Sequence, residues 1–203
     1  MQDTNRMELF EREMAAPPVS QEEGLAVLRR LGLELSHQEE DEEVAWGYWP
    51  ALEAAGMGTW DEDTGRWTPT SRQFFSFDAE GTGLEEMYTH YFEGLQSITA
   101  DPELTFRLLD LDTSRVNWEE QEGTVTIRFL MNGLLCDYEA RFCGDWLDMG
   151  IQRAVNEGLA KFGVEKRFYG IDASQGRTMF FCTEDWARAF EEATLCFMEY
   201  GGN

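Results

Sequence analysis

The most regular pattern in the chain is TVTIRFLMNGLLCDYEARF, residues 124 to 142. Apolar side chains alternate with polar ones at Val125, Ile127, Phe129 and Met131. The alternation resumes at Leu134, Cys136, Tyr138 and Ala140. A period of two marks a half-buried strand. Asn132-Gly133 lies between the two runs and suits a two-residue turn, because both residues accept positive φ. Such a turn sets Met131 opposite Leu134, Phe129 opposite Cys136, Ile127 opposite Tyr138 and Val125 opposite Ala140. The other face then pairs Arg128 with Asp137 and Thr126 with Glu139. A slip of one residue would send every apolar side chain to the wrong face, so the register is well specified.

Other stretches follow the helical period. Leu84, Met87, Tyr88, Tyr91, Phe92 and Leu95 recur at three and four residues and define one wide apolar face. Residues 145 to 163 repeat the pattern through Leu147, Ile151, Ala154, Val155 and Phe162, with Asp145 as the expected cap and Gly163 as the stop. A last helix is expected from Thr183 towards Tyr200, with Trp186, Phe190, Ala193 and Phe197 as its stripe. Near the N-terminus, residues 7 to 16 read as a helix stopped by Pro17-Pro18. Ser20 and Glu23 form a capping box for a second helix ending at Gly32. Residues 44 to 55 offer a third, with Pro50 limiting its early part. Strands are expected at FFSFD (ending at Asp78), at residues 103 to 110, and in RFYGI and RTMFFCT. WDEDTGRW reads as a hairpin between Trp60 and Trp67.

These elements imply an α+β fold: a mainly antiparallel sheet with helices packed on one face. The C-terminal half reads ββαββα and is preceded by N-terminal helices. Residues 1–58 form a helical and acidic segment, and residues 59–203 an α+β domain. With 42% hydrophobic and 13% aromatic residues, the chain can bury a substantial core. It has no apolar run long enough to span a membrane. Its first residues lack the basic and apolar regions of a signal peptide, so the cytoplasm is the expected compartment. Cys136, Cys143, Cys182 and Cys196 match no zinc spacing and read as buried thiols in a reducing environment.

Charge changes the picture most. Forty acids against sixteen bases give −24. Fourteen of the bases are Arg. The first 60 residues hold 13 acids and 4 bases, and the next 60 hold 14 and 4. A field of this sign repels phosphate backbones, which excludes direct nucleic-acid binding, and it draws in basic proteins. The densest point is the run Glu39, Glu40, Asp41, Glu42 and Glu43, followed by Trp46, Tyr48 and Trp49. The plain reading is a solvated linker. The sharper one is a partner-binding surface, with acids steering a basic partner and aromatics anchoring it.

Enzymatic motifs are weak. Asp61-x-Asp63 resembles the start of a calcium loop, but Arg66 and Arg72 stand where Gly and Glu are required. Asp78 with Glu80 and Asp110 with Asp112 place carboxylate pairs on strands, and together they are a candidate set for a hard cation. In a chain with so many acids the plainer reading is strand-end polar residues. His37 and His90 have no local nucleophile motif, and neither GxSxG nor HExxH occurs. GTGLEEM carries acids where a phosphate loop needs Lys.

The expected function is therefore a non-enzymatic acidic binding protein, without cofactor, that neutralises a basic, nucleic-acid-handling partner. In general character, small, acidic and lacking catalytic motifs, the chain resembles toxin-immunity proteins and other bacterial or phage inhibitors. Two alternatives stand beside it. One is a carboxylate- or metal-dependent hydrolase or transferase using Asp78, Glu80, Asp110 and Asp112. The other is a structural or oligomerisation subunit.

Overall fold

A computed structural model describes residues 2–35, 46–64, 66–81, 83–99, 101–173 and 175–201. Among them are six helices: α1 (Gln2–Ala15), α2 (Gln21–Arg30), α3 (Tyr48–Gly56), α4 (Leu84–Ile98), α5 (Ile151–Lys161) and α6 (Glu184–Thr194). Eight strands accompany them: β1 (Thr59–Asp61), β2 (Arg66–Thr68), β3 (Phe74–Asp78), β4 (Phe106–Asn117), β5 (Glu122–Met131), β6 (Leu134–Phe142), β7 (Arg167–Ala173) and β8 (Gly176–Cys182). The class is α+β, every strand pairing is antiparallel, and the order β5-β6-α5 followed by β7-β8-α6 stands as the sequence predicts.

The β5–β6 register is the predicted one, from Met131 opposite Leu134 to Val125 opposite Ala140. Asn132 does more than turn the chain. Its side-chain Oδ1 accepts from Thr105 N at 2.9 Å, and its own N–H donates to Thr105 O at 2.9 Å. The hairpin tip thus seats the start of β4, which begins at Phe106 and runs to Asn117 rather than covering residues 103 to 110. The break in alternation at Leu108-Leu109 is a β-bulge. Leu108 pairs with Phe129 and Asp110 with Arg128, leaving Leu109 unpaired and 42% exposed.

The strands divide among three sheets, β1-β2, β3-β8-β7 and β4-β5-β6. One core joins the inner face of β4-β5-β6 (Ile127, Phe129) to α4, to α5 and to Phe75, Phe77, Phe168 and Met179 of the β3-β8-β7 sheet. A second core lies on the opposite face of that sheet. There Phe74, Tyr169 and Phe180 meet Leu28 of α2, Leu52 and Ala55 of α3, and Phe190 of α6. The β3-β8-β7 sheet is therefore covered by helices on both faces, which explains why successive residues of FFSF and MFFC are buried or half-buried rather than alternating with exposed ones. Buried Ser76 binds Thr178 Oγ1 at 2.8 Å and donates to Leu52 O at 3.2 Å, tying α3 to the sheet.

Two helices depart from their predicted limits. α5 starts at Ile151, not beside Asp145. The preceding residues are tied to the end of β3 instead, since Gly81 N donates to Asp145 O at 2.8 Å and Leu147 N to Ala79 O at 2.8 Å. Asp148 organises the turn instead: its Oδ1 accepts from Gly150 N at 2.9 Å and its Oδ2 from Arg141 N at 2.7 Å. α6 ends at Thr194, because Leu195 adopts a left-handed conformation with φ 62°. Phe197 therefore lies beyond the helix. The chain turns back so that Glu199 pairs with Gly170 of β7. Side-chain amides of α5 hold this return. Gln152 Nε2 donates to Phe168 O at 2.9 Å and to Glu199 O at 2.8 Å, and Asn156 Nδ2 donates to Tyr200 O at 2.7 Å. Arg177, only 2% exposed, donates to Gln152 Oε1 at 2.6 Å and pairs with Asp172 and with Glu199 at 3.0 Å. No helix among the described residues is long and apolar enough to cross a membrane.

Candidate functional site: an acid-walled groove beside α4

The sequence places Trp60 and Trp67 at the two ends of a turn, and the structure pairs them directly across β1 and β2. Their fates differ. Trp60 is 56% exposed. Trp67 is half-buried and fixed: its Nε1 donates to Met57 O at 2.8 Å, and its ring meets Phe75 at 5.4 Å and His90 at 4.8 Å, both edge to face. Gly58 makes this possible. Its φ is +76°, and a Cβ there would stand 2.2 Å from Trp67 Nε1.

α4 supplies the opposite wall. Its apolar face buries Tyr88, Tyr91, Phe92, Leu95 and Ile98. The residues off that stripe, Glu85, Glu86, Thr89, His90 and Glu93, line a groove of about 830 Å³ together with Trp60, Trp67, Pro69 and one cation, Arg66 of β2. Burial holds His90 below its ordinary value of 6.5, with Glu86 pulling weakly the other way, so the floor of the groove is a neutral imidazole. Glu85, Thr89 and Glu93 also line a hollow of about 240 Å³ towards β4. A third hollow of about 680 Å³ at the start of α4 shares Leu84 and adds Asp78, Glu80 and Asp145. No Lys or Arg occurs from residue 73 to residue 106, a stretch that carries seven acids. Elsewhere Arg128 is shared between Asp110 and Asp137, and Arg115 pairs with Glu139. Among the described residues none reaches Glu85, Glu86 or Glu93.

The sequence-predicted residues are placed differently. Glu39, Glu40, Asp41, Glu42, Glu43 and His37 lie outside the described residues. Trp46, Tyr48 and Trp49, expected to anchor a partner, are half-buried. Trp46 packs so closely on α2 that a Cβ on Gly24 would come within 1.9 Å of its ring. Tyr48 and Trp49 pack against the second core. The carboxylate pairs do not converge, and among the described residues no group of three His, Cys, Asp or Glu side chains is arranged to hold a metal ion. Asp78 accepts from Glu80 N at 2.9 Å beside the third hollow, whereas Asp110 pairs with Arg128 at 3.4 Å on the open face of β4. Asp112 accepts from Ser114 N at 2.9 Å; hydrogen bonds from Ser114 hold its carboxyl below the usual range. Of the four cysteines all are free; Cys182 is buried, Cys136 and Cys196 are half-buried, and Cys143 is exposed, contrary to its reading as a buried thiol.

No protein-family model, curated protein or solved structure matches this chain. The groove offers uncompensated carboxylates, indole surface and a neutral imidazole. Carboxylates and indole surface are the groups whose chemistry suits a cation. Sequence reasoning missed the groove, because the spacing of Trp60 and Trp67 reveals a hairpin but not the helix on which the hairpin folds down.

Proposed function

We propose that this protein is a non-catalytic binding protein that captures and neutralises a basic protein partner. Its acidic surface stands in for phosphate, so the partner is a nuclease or another nucleic-acid-handling protein of a bacterium or phage. One observation carries the reading: the outward face of α4 brings three carboxylates to an aromatic-lined groove whose one cation is Arg66, and among the described residues none of the three has an ion pair. Acids so placed steer encounter, and large aromatics anchor what arrives. The run at residues 39 to 43 adds to the same field.

The test is an affinity capture of the tagged full chain from lysate, followed by purification of each bound protein and kinetic measurement of the pair across salt concentrations. The reading predicts one basic partner whose association rate falls steeply with salt while dissociation changes little. It also predicts that the partner's nucleic-acid activity stops on binding. Capture of no basic partner, or binding indifferent to salt, overturns it. Replacing Glu39, Glu40, Glu42 and Glu43 by Gln and Asp41 by Asn then reports how much of the steering that run supplies.

A further inference from the structure

We infer that the groove between the β1–β2 hairpin and α4 is built to seat an arginine side chain of an extended segment of the partner, an inference that rests on the binding-protein reading above. Three features of the groove converge on a guanidinium. The first is an open indole. Trp60 is a large apolar side chain left 56% exposed on a short hairpin, opposite Trp67, whose ring cannot swing away while Met57 and His90 hold it. A planar cation stacks on such a surface, and the interaction strengthens as water leaves. The second is charge. Glu85, Glu86 and Glu93 line the groove against a single base, Arg66, which makes no ion pair with them among the described residues, so acid stays in excess. The third is size. A volume of about 830 Å³ exceeds one side chain and suits a short stretch of peptide.

The same features select among cations. A guanidinium is weakly hydrated, flat and able to fork onto a carboxylate while stacking on an indole. An ammonium is compact and tightly hydrated and uses the indole less well. A phosphate or an acidic peptide meets three carboxylates and is repelled. His90 contributes a neutral ring, so it does not compete with the incoming charge.

The full chain should be titrated by calorimetry with a capped Gly-Arg-Gly-Arg-Gly peptide and with its lysine and citrulline counterparts, at low and high salt. Indole N–H resonances report the site. The expected result is saturable binding of the arginine peptide that shifts the Trp60 indole, with lysine weaker by roughly threefold or more and citrulline silent. W60A, and separately E85Q/E86Q/E93Q, should each weaken the arginine peptide by about tenfold or more with an unchanged circular dichroism spectrum. Equal binding of arginine and lysine with no effect of W60A means diffuse attraction to a chain of net charge −24 and overturns the inference. So does an absence of arginine-peptide binding. The two readings fail separately. If a basic partner binds W60A and wild type alike, the groove assignment falls and the binding protein stands. If wild type captures no basic partner, the binding protein falls and the peptide titration still judges the groove.

Discussion

Arg177 shows how one residue can hold distant parts of the chain together. Its guanidinium is buried between β8, α5 and the return strand, paired with Asp172 and Glu199 and bonded to Gln152. Removing one partner of a buried pair leaves the other charge uncompensated. Arg177→Met should cost about 3–5 kcal/mol in urea unfolding, and adding Glu199→Gln should return part of it. His90 gives a pH signature. Burial lowers its folded value below 6.5, so the unfolded chain takes the proton first as pH falls. Its contribution is complete above 6.5 and is lost as pH drops towards the lower folded value. Unfolding curves between pH about 7 and about 5 should flatten in His90→Gln relative to wild type. Thiol reactivity is a third residue-scale outcome. Burial raises Cys182 to about 12 and Cys196 to about 11, whereas Cys143 is exposed. Brief alkylation of the native protein should label Cys143 first by mass spectrometry, with Cys182 protected. The bonds of Arg177 to Gln152 and Glu199 were not legible in the sequence, because they join residues 25 and 22 positions apart along the chain.

At the scale of elements the outcome depended on reach. The β5–β6 hairpin was legible down to its register, because Asn132-Gly133 and the period-two pattern are local. The Ser20–Glu23 capping box was legible for the same reason, and both of its bonds are present. α6 was read too long, since the stripe continues to Phe197 while the backbone turns left-handed at Leu195. The start of α5 was missed because pairing of residues 145 to 147 with 79 to 81 overrides their helical pattern. α4 sits on β3 through Gly94, where a Cβ would come within 2.1 Å of the Phe75 ring. Gly94→Ala should therefore lift the helix and cost about 1–3 kcal/mol despite the better helix propensity of Ala, as read by thermal or urea unfolding. A shift of the groove wall should accompany it, seen as changed indole resonances of Trp60 and Trp67.

For the whole molecule, charge and core pull in opposite directions. The two cores bury large aromatic side chains on both faces of one sheet, while −24 charges repel one another on the surface. Added sodium chloride should raise the melting temperature by screening that repulsion, and the same salt should slow capture of a basic partner. A melting temperature that falls with salt would mean that surface ion pairs outweigh the repulsion. On β4-β5-β6 the two bases Arg115 and Arg128 pair with the three carboxylates of Asp110, Asp137 and Glu139 and offset part of the acid on that face. Charge by segment was legible from the sequence. Its sorting onto faces was not, because that follows from which strands share a sheet.

The order β3-β8-β7 also sets a timetable. The middle strand is the last of the three to be synthesised. β3 ends at Asp78 and its hydrogen-bonding partner begins at Gly176, so a ribosome adding roughly 5–20 residues per second leaves FFSFD without its neighbour for several seconds or more. During that interval an apolar strand with both edges open is among the most adhesive segments a nascent chain can present. The acids that flank it along the chain, from Asp61 to Asp63 and from Asp78 to Glu86, then act as a guard on the unfinished molecule, keeping neighbouring nascent chains apart until β8 arrives.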